Sequence, residues 1–231
     1  MKIGIMQPYF FPYIGYWQLM NAVDKYIIYD DVNFIKGGWI NRNNILMNEK
    51  PYTINLKMSG SSSNKLINEI HVSDDNIYKN KLIKTIEHCY KKAPLFDRAF
   101  PIIEEIIHND EKSLSLYLEN LIRKIAVYLE IETEIILSST IKKDNDLKGQ
   151  DKILHICKIL GAKEYYNAIG GVGLYSPGEF EANGIKLRFL KTQAIEYKQF
   201  NKFEPNLSII DVMMFNSKED IKKMLVKYSL M

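Results

Sequence analysis

The opening of the chain restricts the fold more than any other stretch. KIGIM, residues 2–6, is an apolar run of strand length, and QPYFFPY then breaks it with two prolines. Ile14, Trp17, Leu19, Met20 and Val23 suit a helix ending near Asp24, and KYIIYDD is a second short apolar run closed by acids. Strand, helix and strand within about thirty residues is a β-α-β unit, which predicts a parallel strand pair joined by a right-handed crossover.

Beyond it, NNILM and YTINL read as strands with NEK as their turn, and MSGSSSN reads as a flexible loop by composition. Helices are expected over about 76–92, about 98–108 and Leu114–Leu129. TEIILSS is a further strand. A helix after Gly149 stops at Gly161, the expected position for a helix-ending glycine. EYYNAIGG and IKLRFL are strands again, and two helices close the chain from Leu207 onward. Strands alternating with helices at both ends mean an α/β fold with a Rossmann-like parallel sheet. The expectation is one domain over residues 1–231, with a helical subregion at 76–130.

A formal net charge of +3 argues against a duplex nucleic acid as partner. One basic stretch, Lys79–Lys92, carries five lysines and the single acid Glu87; it reads as a solvated helix face or as a surface that attracts anionic ligands. Cys89 and Cys157 have no partners at zinc spacing and read as small buried hydrophobes, so no metal is expected and the compartment is reducing. No apolar run approaches the roughly 18 residues of a membrane span, which points to the cytoplasm.

Of the 27 aromatic residues, 11 lie at or before Tyr52. There they mix with Gln7, Asn33, Asn41, Arg42 and Asn43, a combination suited to a flat or sugar-like ligand. Tyr9, Tyr13 and Tyr16 flank the first turn. Ligands of open α/β sheets sit beyond the carboxyl ends of the parallel strands, so this turn and the acids Asp30 and Asp31 would face one crevice. Adjacent acids on an extended chain point opposite ways, so one of the two is expected inward and the other in solvent. FIKGGWINRNNI adds Lys36, Gly37, Gly38, Trp39 and Arg42; the guanidinium would either meet a phosphate or carboxylate, or pair with Asp30 or Asp31. NAIGGVGLYSPGEF lacks the ending of a phosphate-binding P-loop and reads as a mobile loop that carries Tyr175 over a ligand, with Gly170 and Gly171 at its base.

MQPYFFPYIGYWQLMNAVDKYIIYDDVNFIKGGWINRNNI closely resembles the opening of WbqC-like proteins, and the likeness continues through ICKILGAKEYYNAIGG and YKQFNKFEPNLSIIDVMM. The resemblance implies a bacterial protein of O-antigen or other surface-polysaccharide biosynthesis, which transfers glycine onto an amino sugar. Such an enzyme would use Lys36 or Arg42 on the diphosphate of a nucleotide-linked amino sugar. Asp30 or Asp31 would take the amine proton, and backbone amides at Gly37–Gly38 or Gly170–Gly171 would face the oxyanion. The acyl donor would be an aminoacyl-tRNA, a carrier thioester or an internally made adenylate. The first strand, turn and helix also look like the start of nucleotidylyltransferases and class I synthetases of HUP-like fold, with Tyr13 and Tyr16 where that superfamily has histidines. That likeness implies ATP and Mg²⁺ instead. A third reading is a sugar-nucleotide-binding protein without chemistry.

Overall fold

The computed structural model describes residues 1–231. In chain order it has β1 (Lys2–Met6), α1 (Ile14–Asn21), β2 (Lys25–Ile28), the hairpin β3 (Arg42–Met47) and β4 (Lys50–Asn55), and the short pair β5 (Met58–Ser59) and β6 (His71–Val72). The helices α2 (Asn76–Tyr90), α3 (Phe96–Ile107) and α4 (Leu114–Tyr128) follow. The second half holds β7 (Glu134–Leu137), α5 (Gly149–Ile159), β8 (Glu164–Ala168), α6 (Pro177–Ala182), β9 (Lys186–Thr192), α7 (Ile209–Phe215), α8 (Lys218–Leu225) and β10 (Tyr228–Leu230).

The main sheet has the order β10-β9-β8-β1-β2-β7, parallel throughout except for the antiparallel edge strand β10. The chain builds outward from β1 through β2 to β7, then returns to the other side of β1 with β8 and β9. β1 and β8 therefore border the point where the winding reverses, and a crevice opens there beyond the strand ends. This is the Rossmann-like α/β arrangement expected from the first thirty residues.

Period-two alternation sends β-strand side chains to opposite faces. Ile3, Ile5, Ile27 and Tyr165 meet Ile153, Ile156 and Cys157 of α5 and Phe180 of α6 on one face. Tyr26, Ile28 and Tyr166 meet α1, α4, α7 and α8 on the other, in a larger core that also takes in α2 and α3. The helical middle section thus packs into the same core as the first turn and the closing helices. Gly161, at φ 68°, ends α5 as its position predicts.

Several features differ from the expectations. The pair β5–β6 (its Met58 and Ser59 lie in the stretch read as a loop), α6 and β10 were not expected; TEIILSS leaves the strand at Leu137 for a 3-10 turn over Ser138–Thr140, and EYYNAIGG leaves it at Ala168 for one over Ile169–Leu174. The edge strand is too short for a periodic signal, and α6 is a six-residue helix started by Pro177.

Candidate functional site

The first turn is rigid because side chains from both ends of the chain hold it. Phe10 and Phe11 are fully buried, and Phe11 adopts φ 45°, a conformation that bulky residues rarely take. The Phe11 carbonyl accepts Asn43 Nδ2 at 2.8 Å and Ser208 Oγ at 2.8 Å, and Asn43 Nδ2 also reaches the Phe10 carbonyl at 3.2 Å. The Phe10 amide donates to the Trp39 carbonyl at 3.3 Å, and the Ile209 amide to the Pro12 carbonyl at 3.1 Å. Trp17 Nε1 donates to the Pro12 carbonyl at 3.0 Å from inside the core. The turn is thereby a wall between the 33–43 loop and the 206–209 segment.

Its ring faces divide accordingly. Tyr16 is buried, with its centroid 5.4 Å from that of Tyr26 and 5.7 Å from that of Trp17, so it is a core residue and faces no crevice. Tyr9 and Tyr13 are half-buried, and Gln7 is half-buried with its amide making no hydrogen bond within the protein. The Tyr13 ring folds over Gly15, where an added Cβ would fall 2.6 Å from Tyr13 Cε2. Burial raises the Tyr13 pKa, and the neighbouring Thr192, at the end of β9, donates its hydroxyl to Gln18 Oε1 at 2.7 Å.

Both acids after β2 are buried, and the expectation that one of them lies in solvent is not met. They do point opposite ways, but helices cover both faces of the sheet, so each meets a helix. Asp30 turns to α4, where it accepts Ser115 Oγ at 2.7 Å, together with the Ser139 amide at 2.9 Å and Ser139 Oγ at 2.7 Å. Asp31 turns to α5 and lies 2.8 Å from Lys143 Nζ and 3.0 Å from Lys152 Nζ, both ammoniums buried. Burial alone would raise the Asp31 pKa, but the adjacent Lys143 and Lys152 ammoniums outweigh it and hold the carboxyl below its ordinary value. Lys152 Nζ also donates to the Asp31 carbonyl at 3.0 Å. In this arrangement the carboxylates of Asp30 and Asp31 join β2, β7, α4 and α5; both oxygens of Asp30 are engaged, whereas both ion pairs of Asp31 run through Oδ2 and its Oδ1 is buried without a hydrogen-bond partner.

The 33–43 loop brings Lys36, Trp39 and Arg42 together but pairs none of them with those acids. Arg42 Nε donates to the Gly38 carbonyl at 3.1 Å and Nη2 to the Gly37 carbonyl, with the guanidinium 5.7 Å from the Trp39 ring centroid. Lys36 is exposed and forms no ion pair, and Trp39 is 47% exposed. Asn41 donates to the Leu56 carbonyl at 3.2 Å, so the amides of Asn41 and Asn43 both serve the backbone. Across the crevice, Gly170 is exposed, whereas Gly171 is buried against Asn167. Tyr175 is docked: its hydroxyl lies 3.3 Å from that of Tyr165, and its ring packs edge-on against Phe180 at 5.8 Å.

The sequence reading assigned no role to the cleft beyond the end of β9, about 340 Å³ in volume. Ile14, Tyr197, Phe203 and Leu207 give it apolar walls, and Thr192 and Glu196 give it polar groups. Glu196 is its one ionisable carboxylate, and no cation lines it. Behind the wall, Tyr197 donates to Asp211 Oδ1 at 2.7 Å, joined by Gln199 Nε2 at 2.7 Å and by Tyr90, whose hydroxyl reaches Oδ2 at 2.9 Å. Burial raises the Asp211 pKa despite these three donors. The signal for this cleft lay in YKQFNKFEPNL, where aromatics flank a Pro-Asn turn, but it had no periodicity to expose it.

Burial pushes the Cys89 thiol up to about 11 and the Cys157 thiol up to about 12, so neither is poised as a nucleophile. No group of three His, Cys, Asp or Glu side chains is arranged to hold a metal. No helix is long and apolar enough to cross a membrane.

A family model described as the WbqC-like protein family matches residues 7–223. "Uncharacterized protein Rv1507c" of Mycobacterium tuberculosis (strain ATCC 25618 / H37Rv) is 28% identical over 225 residues, with 93% of each chain covered. No solved structure matches.

Proposed function

The chain belongs to the WbqC-like protein family, and on that premise we propose that it is an enzyme of surface-polysaccharide biosynthesis that acylates, or aminoacylates, the amine of a nucleotide-linked amino sugar in the cytoplasm. The observation that carries the reading is the cleft beyond β9. It is aromatic-walled, has one carboxylate and no cation, and adjoins the first turn at the carboxyl edge of a Rossmann-like sheet. Apolar walls with a few polar groups suit a sugar, and a lone carboxylate suits its amine.

In this proposal Glu196 receives the amine and takes its proton as the nitrogen attacks the donor carbonyl. Tyr13, reaching towards Thr192, orients the sugar. Lys36 and Arg42, on the other side of the turn, neutralise the diphosphate. Gly170 and Gly171 begin a 3-10 turn, whose first amides have no partner inside it and would face the oxyanion. Asp30, with both oxygens bonded, and Asp31, paired with two buried ammoniums, hold the frame around these groups, a role this burial suits better than that of a base. The adenylate-forming alternative needs Tyr13 and Tyr16 side by side on a triphosphate, and the burial of Tyr16 disfavours it.

The test is a thermal-shift series with UDP- and dTDP-linked amino sugars, their non-aminated parents, and ATP with Mg²⁺. A ligand bound only by the folded state raises Tm. The amino sugars should raise it more than their parents, and Glu196→Gln should erase that difference. Equal shifts from both sugar classes, or a shift with ATP and Mg²⁺ alone, would reject the assignment.

A further inference from the structure

On the side of the molecule beyond the hairpin tip, two clefts of about 550 and 470 Å³ share Met47 and His88 and run together along α2. Ile77, Lys81, Lys84, His88 and Lys91 follow one another at helical spacing, so they form a single stripe on that helix and its end. Lys92 lies beside them. Of the five lysines of this segment only Lys79 is engaged: it is buried and bonded to the Asn109 carbonyl at 2.8 Å. Lys81, Lys84, Lys91 and Lys92 are exposed, and none forms an ion pair. The one acid lining the clefts, Glu49, is engaged by Asn201.

The same trough exposes apolar groups. Ile77 is 84% exposed, and Phe200 and Met47 contribute at the other edge. A phosphate backbone could pair with these lysines, but it would leave Ile77, Met47 and Phe200 uncovered, whereas a partner with an apolar face and acids would cover both. Lysines flanking apolar side chains over ten residues of α2 and its end, a length of about 15 Å, fit an amphipathic acidic helix laid along the trough. β3 then runs from this trough at Met47 to Arg42 at the first turn, a distance of about 17 Å.

We propose that this trough docks the acidic helix of a small carrier protein, which delivers the acyl group as a thioester on a flexible arm. The assignment names the donor for the acyl transfer proposed above and rests on that reading. The balance is complete: the sugar amine forms the C–N bond, the carbonyl–sulfur bond breaks, and the amine proton ends on the departing thiol. The surface attracts its partner electrostatically, so binding should weaken with salt.

The experiment measures binding of purified holo acyl carrier protein, bulk tRNA and phosphatidylglycerol vesicles to the full chain, and to a Lys84→Glu/Lys91→Glu variant shown by its Tm to be folded. Saturable, salt-sensitive carrier binding that falls about tenfold or more in the variant is the expected result. Carrier binding unchanged by the variant overturns the proposal, as does binding of tRNA or vesicles without the carrier. No binding of any probe overturns it as well. The amino-sugar thermal shift is scored separately: if it persists while carrier binding fails, the docking surface alone is wrong. If the carrier binds and no amino sugar does, the surface stands and the acceptor assignment falls.

Discussion

Replacing Asp31 by Asn tests whether this acid is the counter-charge of a buried cluster. The carboxylate lies 2.8 and 3.0 Å from two buried ammoniums, each pair attracting by about 5–6 kcal/mol at an effective dielectric near 20. Dehydrating three charges offsets much of that gain, so the net value of the cluster is small. Removing the acid alone is different, because two like charges then remain buried without a partner. Breaking a buried pair in this way costs about 3–5 kcal/mol. With a urea m-value of about 2–3 kcal/mol/M, the unfolding midpoint should fall by roughly 1–2 M.

Fluorescence is a suitable probe, because Trp17 is fully buried and reports loss of the core. The pH dependence follows from the sign of the shift. The folded-state pKa of Asp31 is depressed, so its stabilisation is present above the ordinary carboxylate pKa and is lost as pH falls through the lower folded value. The wild type should therefore lose this increment in acid, and Asp31→Asn should show no such loss. Adding Lys143→Met to Asp31→Asn should recover part of the midpoint. A loss below about 1 kcal/mol in the single variant would refute the reasoning, since an unpaired buried charge is not that cheap.

Two further outcomes follow from the site. Gly15→Ala, in the first turn of α1, should change the stability read from the urea midpoint by no more than about 1 kcal/mol, the small Ala preference at a helix start being set against displacement of the Tyr13 ring. Its new methyl displaces the Tyr13 ring, so the amino-sugar thermal shift should shrink in the same variant. The Asp211 pKa is raised in the folded protein, so stability should fall as pH rises from the ordinary carboxylate value through the higher folded one. Asp211→Asn should flatten that slope in urea midpoints taken across this range.

The elements that carried strong periodicity were legible from the sequence. β1, α1, β2, the three middle helices and α5 lie close to where the apolar spacing put them, because burial of one face writes that spacing directly. The turn wall was legible as well, through its density of rings. The partners of its polar residues were not. Asn43 has the right chemistry for a ligand, yet its amide donors go to the carbonyls of Phe10 and Phe11, and Arg42 is positioned by donating from Nε and Nη2 to the carbonyls of Gly38 and Gly37. Asp30 and Asp31 meet partners about 85 to 120 residues away, Ser115 and Lys152 among them, which no local pattern encodes. The cleft beyond β9 lies in residues 193–207, which have no regular secondary structure, so neither period marks it.

The clamp on Phe11 also sets an order of events during synthesis. The first turn leaves the ribosome early, but Ser208 holds its left-handed residue, and β8 flanks its strand from more than 150 residues downstream. Until those arrive, the nascent chain carries a bare β1 edge and several unpaired aromatic rings, surfaces that invite aggregation or a chaperone. A ribosome-stalled fragment ending before residue 208 would hold every residue of the ring-bearing turn and still lack its shape. The turn encoded near the start of the chain is among the last parts of the protein to become itself.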